Sequence, residues 1–294
     1  MKDFKYRVAV ITGAASGIGR GLSEQFIEAG MKVVLADIDE SNLQTTVNNF
    51  KDSGADVIGV HTDVSKPDQV KALAAKTMDT FGAVHVLCNN AGVGYGGRNS
   101  WGIPTEAWNW VLNVNLMGVI HGIQTFLPIM LEQNTEAHVV NTASVAGLIM
   151  NRYNVVYGVS KYAVVALSES LHLELLNVDA KVKVSVLCPG PVSTDIMNSS
   201  QRLRPDNVPP PPDPTPEEDL LLKAYEIYIE RGMAPKDVAK QVFDAIQNER
   251  FYVITHDFNN YIELRLKNIL NTKNPEPPEI PQEFLDIMQE MMNQ

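Results

Sequence analysis

Short runs of β-branched and other apolar residues alternate along the chain with longer stretches whose apolar positions recur three or four apart. The short runs are Val8–Ile11, Lys32–Ala36, Val57–His61, Val84–Cys88, His138–Asn141, Val182–Leu187 and Phe251–Ile254. The longer, helical patterns are Gly17–Ala29, Glu40–Ser53, Pro67–Phe81, Thr105–Glu132, Val155–Asn177 and Pro235–Gln247. Strands that are almost wholly apolar must be covered on both faces, and parallel neighbours need helical crossovers. The pattern therefore predicts an α/β fold: a doubly wound, seven-stranded parallel sheet with helices on both faces. Its ligand belongs at the carboxyl ends of the strands.

One stretch breaks the alternation. Seven of the thirteen positions in Arg204–Pro216 are proline, which favours extended backbone and lacks amide donors. This stretch reads as an exposed loop or linker. Thr215, Pro216 and Glu218 then form a capping-box signature for a helix from about Glu217 to Arg231, with Gly232 as its stop. A plain spacer and a substrate-side lid over 195–232 both remain open. The organisation expected is one domain over 1–274 and a tail over 275–294, whose Phe284–Met292 segment is either a docked helix or disordered.

Composition narrows the class. The 294 residues are 45% hydrophobic and 20% charged, ordinary for a globular chain. Lys and Arg number 24 against 35 Asp and Glu, a net charge of -11 that repels a polyphosphate backbone, so no nucleic acid partner is expected. Cys88 and Cys188 sit in apolar runs as small hydrophobes, and the amino end lacks a secretory pattern. Leu116–Leu131, at 16 residues and with His121, Gln124 and Pro128 inside it, makes a poor membrane span. A reducing cytoplasm is the expected compartment.

The first strand runs into Thr12-Gly-Ala-Ala-Ser-Gly-Ile-Gly19 and then a helix. Gly13, Ser16, Gly17, Ile18 and Gly19 make a candidate pyrophosphate cradle, where glycines admit close backbone approach and the helix amino end attracts an anion. Asp37 ends the second strand, where a carboxylate accepts hydrogen bonds from adenosine ribose hydroxyls. A 2′-phosphate held about 4 Å from it would be repelled by a few kcal/mol, so NAD is expected over NADP. Asp63 and Val64 after strand three could meet adenine, and Asn90 lies in the Asn89-Asn-Ala-Gly92 segment after strand four. Falling at consecutive strand ends, these form one binding edge.

Tyr157 and Lys161 have YxxxK spacing, Ser144 lies thirteen residues before that tyrosine, and Pro189-Gly190 follows strand six. With the glycine turn and Asn89–Gly92, these motifs closely resemble the classical short-chain dehydrogenase/reductases over about residues 6–255. The resemblance implies a Rossmann-type domain, NAD(P)-dependent oxidation of an alcohol or reduction of a ketone, and a homotetramer or homodimer built on the two long helices. It also implies that Lys161 holds the nicotinamide ribose, that Asn115 supports a water relay to Lys161, and that Pro189 and Thr194 contact the cofactor, Thr194 through the carboxamide.

The chemistry asks for the same residues. Removing a hydride from an alcohol needs a base for the hydroxyl proton. A phenol titrates near about 10, and a cation one helical turn away on the same face would favour its ionised form. Tyr157 is thus the candidate acid/base, with Lys161 lowering its proton affinity and Ser144 donating to the substrate oxygen.

The six histidines, His61, His85, His121, His138, His172 and His256, lack metal-ligand spacing, so no metal is expected. Ser144 lies in no GxSxG elbow of a hydrolase. By resemblance the pocket takes in Val145, Ala146, Leu148, Met150, Tyr153, Asn154, Gly94–Gly97, Ile196, Met197 and Leu203, which are mostly apolar. The expected substrate is a hydrophobic ketone and its secondary alcohol. The alternatives are a non-catalytic sensor of NAD redox state and an NADP-preferring carbonyl reductase of the same family.

Overall fold

The apolar runs become parallel strands because each presents alternate side chains to two separate layers of helices. The computed structural model describes residues 1–96, 99–149, 154–276 and 279–292. Gly97, Met150 and Tyr153, expected at the substrate pocket, lie outside these ranges. The strands are β1 (Val8–Thr12), β2 (Lys32–Asp37), β3 (Val57–His61), β4 (Val86–Asn89), β5 (Ala137–Thr142), β6 (Val182–Cys188) and β7 (Tyr252–Ile254). Between them run α1 (Gly17–Glu28), α2 (Glu40–Asp52), α3 (Pro67–Phe81), α4 (Thr105–Leu112), α5 (Gly118–Gln133) and α6 (Val155–Asn177). After β6 come α7 (Ile196–Arg202), α8 (Pro216–Glu230), α9 (Pro235–Gln247), α10 (Asn259–Leu270) and α11 (Gln282–Met292).

The seven-stranded sheet has the order β3-β2-β1-β4-β5-β6-β7 and every pairing is parallel, the Rossmann-type arrangement. Ala9 and Ile11 of β1 face a layer holding Leu22 and Phe26 of α1 and Val242 and Ile246 of α9. Val8 and Val10 face the opposite layer, with Leu73 of α3, Phe126 of α5 and Leu171 of α6. Each such fully buried side chain contributes about 1.5–3 kcal/mol. Strand order reverses between β1 and β4, which opens a crevice at their carboxyl ends.

Two expectations need correction. The long pattern over Thr105–Glu132 is interrupted: α4 and α5 are joined by a π-helical turn at Asn113–Met117. The combined run of 29 residues is long and apolar enough to cross a membrane, unlike its Leu116–Leu131 portion taken alone. Here it packs on α3, β4 and α6 and carries Asn115 into the interior. Second, the proline-rich stretch is not simply exposed. Val208 is buried in an apolar cluster with Val93, Tyr95 and Val111, and the Tyr95 hydroxyl donates to the Pro209 carbonyl at 3.2 Å. A proline run has carbonyls to offer even where it lacks donors.

Gly232 follows the end of α8 as expected, without a left-handed turn. It lets two backbones meet: a Cβ there would lie 2.5 Å from the Pro191 carbonyl oxygen, beside the bridge between Val192 and Met233. The capping box at the other end of α8 forms, with Glu218 N donating to Thr215 Oγ1 and Thr215 N to Glu218 Oε2. Of the two readings of the tail, the docked helix is the one observed. α11 packs on α8, with Ile287 buried, Phe284 edge-on to Tyr228, and Glu290 paired with Arg231 at 2.8 Å.

Ile287→Ala leaves a cavity under α11 and is expected to weaken its docking by about 2–4 kcal/mol. Amide exchange should then accelerate through Gln282–Met292 while the sheet stays protected.

Candidate active site

The crevice becomes a groove because the ends of β1 and β4 are clasped together. Asn90 N and Ala91 N donate to Thr12 Oγ1 at 2.9 and 3.1 Å. Asn90 Nδ2 donates to the Thr12 carbonyl at 3.0 Å, and its Oδ1 accepts from Thr142 Oγ1 at 3.3 Å. Three strand ends thus share one asparagine. The glycine turn closes against this clasp: a Cβ on Gly19 would sit 2.0 Å from the Gly13 carbonyl oxygen, so α1 can start only where it does.

Gly13, Ser16, Gly17 and Ile18 line the groove at the amino end of α1, where Ser16 makes no side-chain cap. That leaves backbone donors facing a site suited to an anion. Asp37 lies at the same wall. Its Oδ2 accepts from Ala15 N and its Oδ1 from Asp39 N, both at 2.9 Å. Burial nevertheless pushes its carboxyl above the ordinary range. Asp63 and Val64 line the groove beyond it; Asp63 Oδ1 is held by Ser65, and the Val64 carbonyl by His121 Nδ1 at 2.9 Å. An anion cradle flanked by carboxylates on one side and apolar walls on the other fits a dinucleotide.

At the far end the groove reaches Tyr157 and Lys161, one helical turn apart on α6. The Lys161 ammonium donates to the Thr142 carbonyl at 2.8 Å and lies 5.4 Å from the centre of the Tyr157 ring. Ser144 caps the short turn Val145–Gly147: its Oγ accepts from Ala146 N at 3.1 Å and donates to the Pro189 carbonyl at 3.5 Å. Thr194 lies against the glycine turn, its methyl 3.0 Å from where a Gly17 Cβ would be. Asn115, in the π-helical turn, accepts from Val93 N at 2.8 Å and donates to the Val93 carbonyl and to Ser160 Oγ. Its side chain therefore fixes the loop after β4, and a Cβ on Gly92 would touch both Asn115 Oδ1 and Lys161 Nζ.

To the proximity of Lys161 and Tyr157 the structure adds a second influence, burial, which acts on both. Burial dominates both groups. It pushes the phenol up to about 12, opposed by a hydrogen bond with Ser144, and pushes Lys161 down to about 8. The ammonium donates to a backbone carbonyl, which partly replaces its lost solvation.

At the substrate end Ile196 and Leu203 line the groove as expected, and Val93, Trp110 and Val114, not singled out in the sequence, line it with them. The Val145–Gly147 turn packs into α6, so tightly that a Cβ on Gly147 would lie 2.6 Å from the Lys161 carbonyl oxygen. Asp39 and Arg202, unnoticed in the sequence, line the adenosine-side mouth. No periodicity marks them.

A family model described as short chain dehydrogenase matches residues 7–204. A relative from Lactiplantibacillus plantarum, named CLA biosynthesis dehydrogenase/reductase, is 36% identical over 94% of this chain and 97% of its own. The 1-deoxy-11-beta-hydroxypentalenate dehydrogenase of Streptomyces exfoliatus is 33% identical over 89% of this chain and 86% of its own. Among solved structures, a short chain dehydrogenase/reductase from Burkholderia phymatum in complex with NAD is 44% identical, with a TM-score of 0.91 over 96% of this chain and 100% of that one.

A lysine whose pKa falls from 10.5 to about 8 on folding destabilises the native state below about pH 8, and the deficit disappears toward about pH 10.5. At about 1.4 kcal/mol per pKa unit this amounts to about 3 kcal/mol. Lys161→Met is therefore expected to stabilise the fold near about pH 7, by about 2 kcal/mol after losing the bond to Thr142, and to give no such gain near about pH 10. Thermal unfolding at the two pH values checks it.

Proposed function

The chain belongs to the short chain dehydrogenase family of oxidoreductases, and from that premise we propose that it interconverts a hydrophobic secondary alcohol and its ketone with NAD(H). The observation carrying this reading is one continuous groove with Asp37 at one end and Tyr157 and Lys161 at the other, where Ser144 hydrogen-bonds to Tyr157. The bound nicotinamide would supply or accept a hydride. In ketone reduction, Tyr157 gives its phenolic proton to the substrate oxygen and Ser144 donates a hydrogen bond to the same oxygen as charge gathers there. A phenol is protonated at neutral pH and so has a proton to give, although burial of Tyr157 opposes the anion that is left. Lys161 is the cation nearest the phenolate that remains.

Asn115 acts through the loop it holds and is a positioning residue for Lys161. Thr194 is assigned to the cofactor carboxamide and Pro189 to the wall beneath it. Val93, Trp110, Val114, Ile196 and Leu203 favour an apolar substrate. The likeness to an NAD complex and the carboxylate of Asp37 both support NAD over NADP. Leu131 on α5 and Leu173 and Leu176 on α6 are exposed, which supports assembly into a homotetramer or homodimer through these helices.

Absorbance of the reduced nicotinamide, followed with both cofactors over diverse ketones and alcohols, tests the reading; preference for anionic sugars would overturn the substrate class. Tyr157→Phe is expected to keep NADH binding and lose at least about a thousand-fold in turnover, within the range ascribed to a positioned acid. Asp37→Ala is expected to narrow the NAD to NADP preference in kcat/KM by about ten-fold or more. The rate of ketone reduction is expected to fall above about pH 8, where Lys161 loses its charge.

A further inference from the structure

The post-β6 chain forms one wall of the groove, and its first helix, α7, reaches across to the opposite side. Arg202, the last residue of α7, pairs through one terminal nitrogen with Asp39 Oδ2 at 3.2 Å and through the other with Asp195 Oδ2 at 3.5 Å. Asp39 lies 163 residues away in sequence, directly after β2. All three residues line the groove.

The anchor on the far side is rigid. Asp39 caps α2, accepting from Asn42 N at 3.1 Å and Asn42 Nδ2 at 2.8 Å, and its own N–H is bound by Asp37 Oδ1. Its side chain is only 17% exposed, against 51% for Arg202. The arginine holds the Asp39 carboxyl below its ordinary range, together with the Asn42 bonds and against desolvation. Elsewhere α7 is secured at its inner side, where Gly94 N donates to Ser200 Oγ at 2.9 Å. The outer end of α7 is tied to the nucleotide-binding edge by the guanidinium.

Charge adds a second reason. Asp37, Asp39, Asp63 and Asp195 line the groove, and among the described residues Lys161 and Arg202 are its only lysine and arginine. Lys161 sits at the catalytic end, so Arg202 supplies the positive charge near the adenosine end.

We propose that Arg202 is a cofactor-retention residue: bridging α7 to Asp39 across the mouth of the groove, it latches the substrate-side wall over the adenosine half of bound NAD(H). This rests on the oxidoreductase reading above, because the latch needs a dinucleotide to retain. Opening it releases the wall without touching the proton-transferring groups, so its signature is the rate of cofactor release.

The test is stopped-flow displacement of NADH from the full chain, read by nicotinamide fluorescence at low and high NaCl. Arg202→Gln is expected to accelerate release about five-fold at low salt. Arg202→Lys should restore most of the slow release, since it keeps the charge. Asp39→Asn preserves a good helix cap, should match Arg202→Gln, and should add nothing when combined with it. Salt should accelerate release from the unaltered protein and leave Arg202→Gln unchanged. Unchanged release in Arg202→Gln, or a loss confined to NADPH, overturns the latch and leaves the oxidoreductase reading standing. Failure of the unaltered protein to bind NADH overturns both.

Discussion

Everything in the site hangs from the hydrogen bonds that tie the end of β4 to the end of β1. A parallel sheet whose strand order reverses must open there, because the chain leaves the two neighbouring strands in opposite directions. Thr12 Oγ1, accepting from two consecutive amides, keeps that opening at a fixed width. The glycine turn on one side and Gly92 on the other then have fixed positions, and Lys161 and Asn115 are set against Gly92. A side chain in β1 thus controls where an ammonium on α6 can lie.

That ammonium is an energetic liability that the fold tolerates. Lys161 is 2% exposed and held by a backbone carbonyl, so burial favours its neutral form. Tyr157 is disfavoured as an anion for the same reason. Two groups each pushed toward neutrality, with their ionised forms opposite in sign, make a pair in which ionising one helps the other. The proton affinity of such a site depends on what enters it, because any group that replaces lost solvation changes both at once.

The sheet and its order of elements were legible because β-branched runs and helical spacing are local signals, and the cofactor motifs because they fall at consecutive strand ends. Tyr157, Lys161, Asp37 and the glycine turn were singled out by their spacing taken together with the surrounding motifs and the family resemblance these carry. The π-helical turn at Asn113–Met117 was hidden, since one extra residue in a turn leaves the apolar pattern of a long helix almost intact. Likewise, Val208 gave no sign among prolines that it would be buried, and Arg202 gave none that it would find Asp39. Such contacts are tertiary, set by how the chain after β6 folds back over the groove. The desolvation of Lys161 and Tyr157 was likewise hidden, because helical spacing shows proximity but not burial.

Among the described residues, the chain between Leu203 and Gly232 meets the rest of the molecule at Val208 and Pro209 near Tyr95, at Gly232 against Pro191, at the face of α8 that receives α11, and at half-buried Tyr225, which lies close enough to Tyr157 to disfavour ionisation of its phenol. None of these points belongs to a strand of the sheet. This segment can therefore change in length and composition while the sheet stays in register, but a change at Tyr225 also reaches the proton affinity of Tyr157, so selectivity and reactivity are linked through α8. Grafting the equivalent stretch from a relative, together with its matching carboxyl-terminal helix, is the natural unit of exchange for retuning what the enzyme accepts.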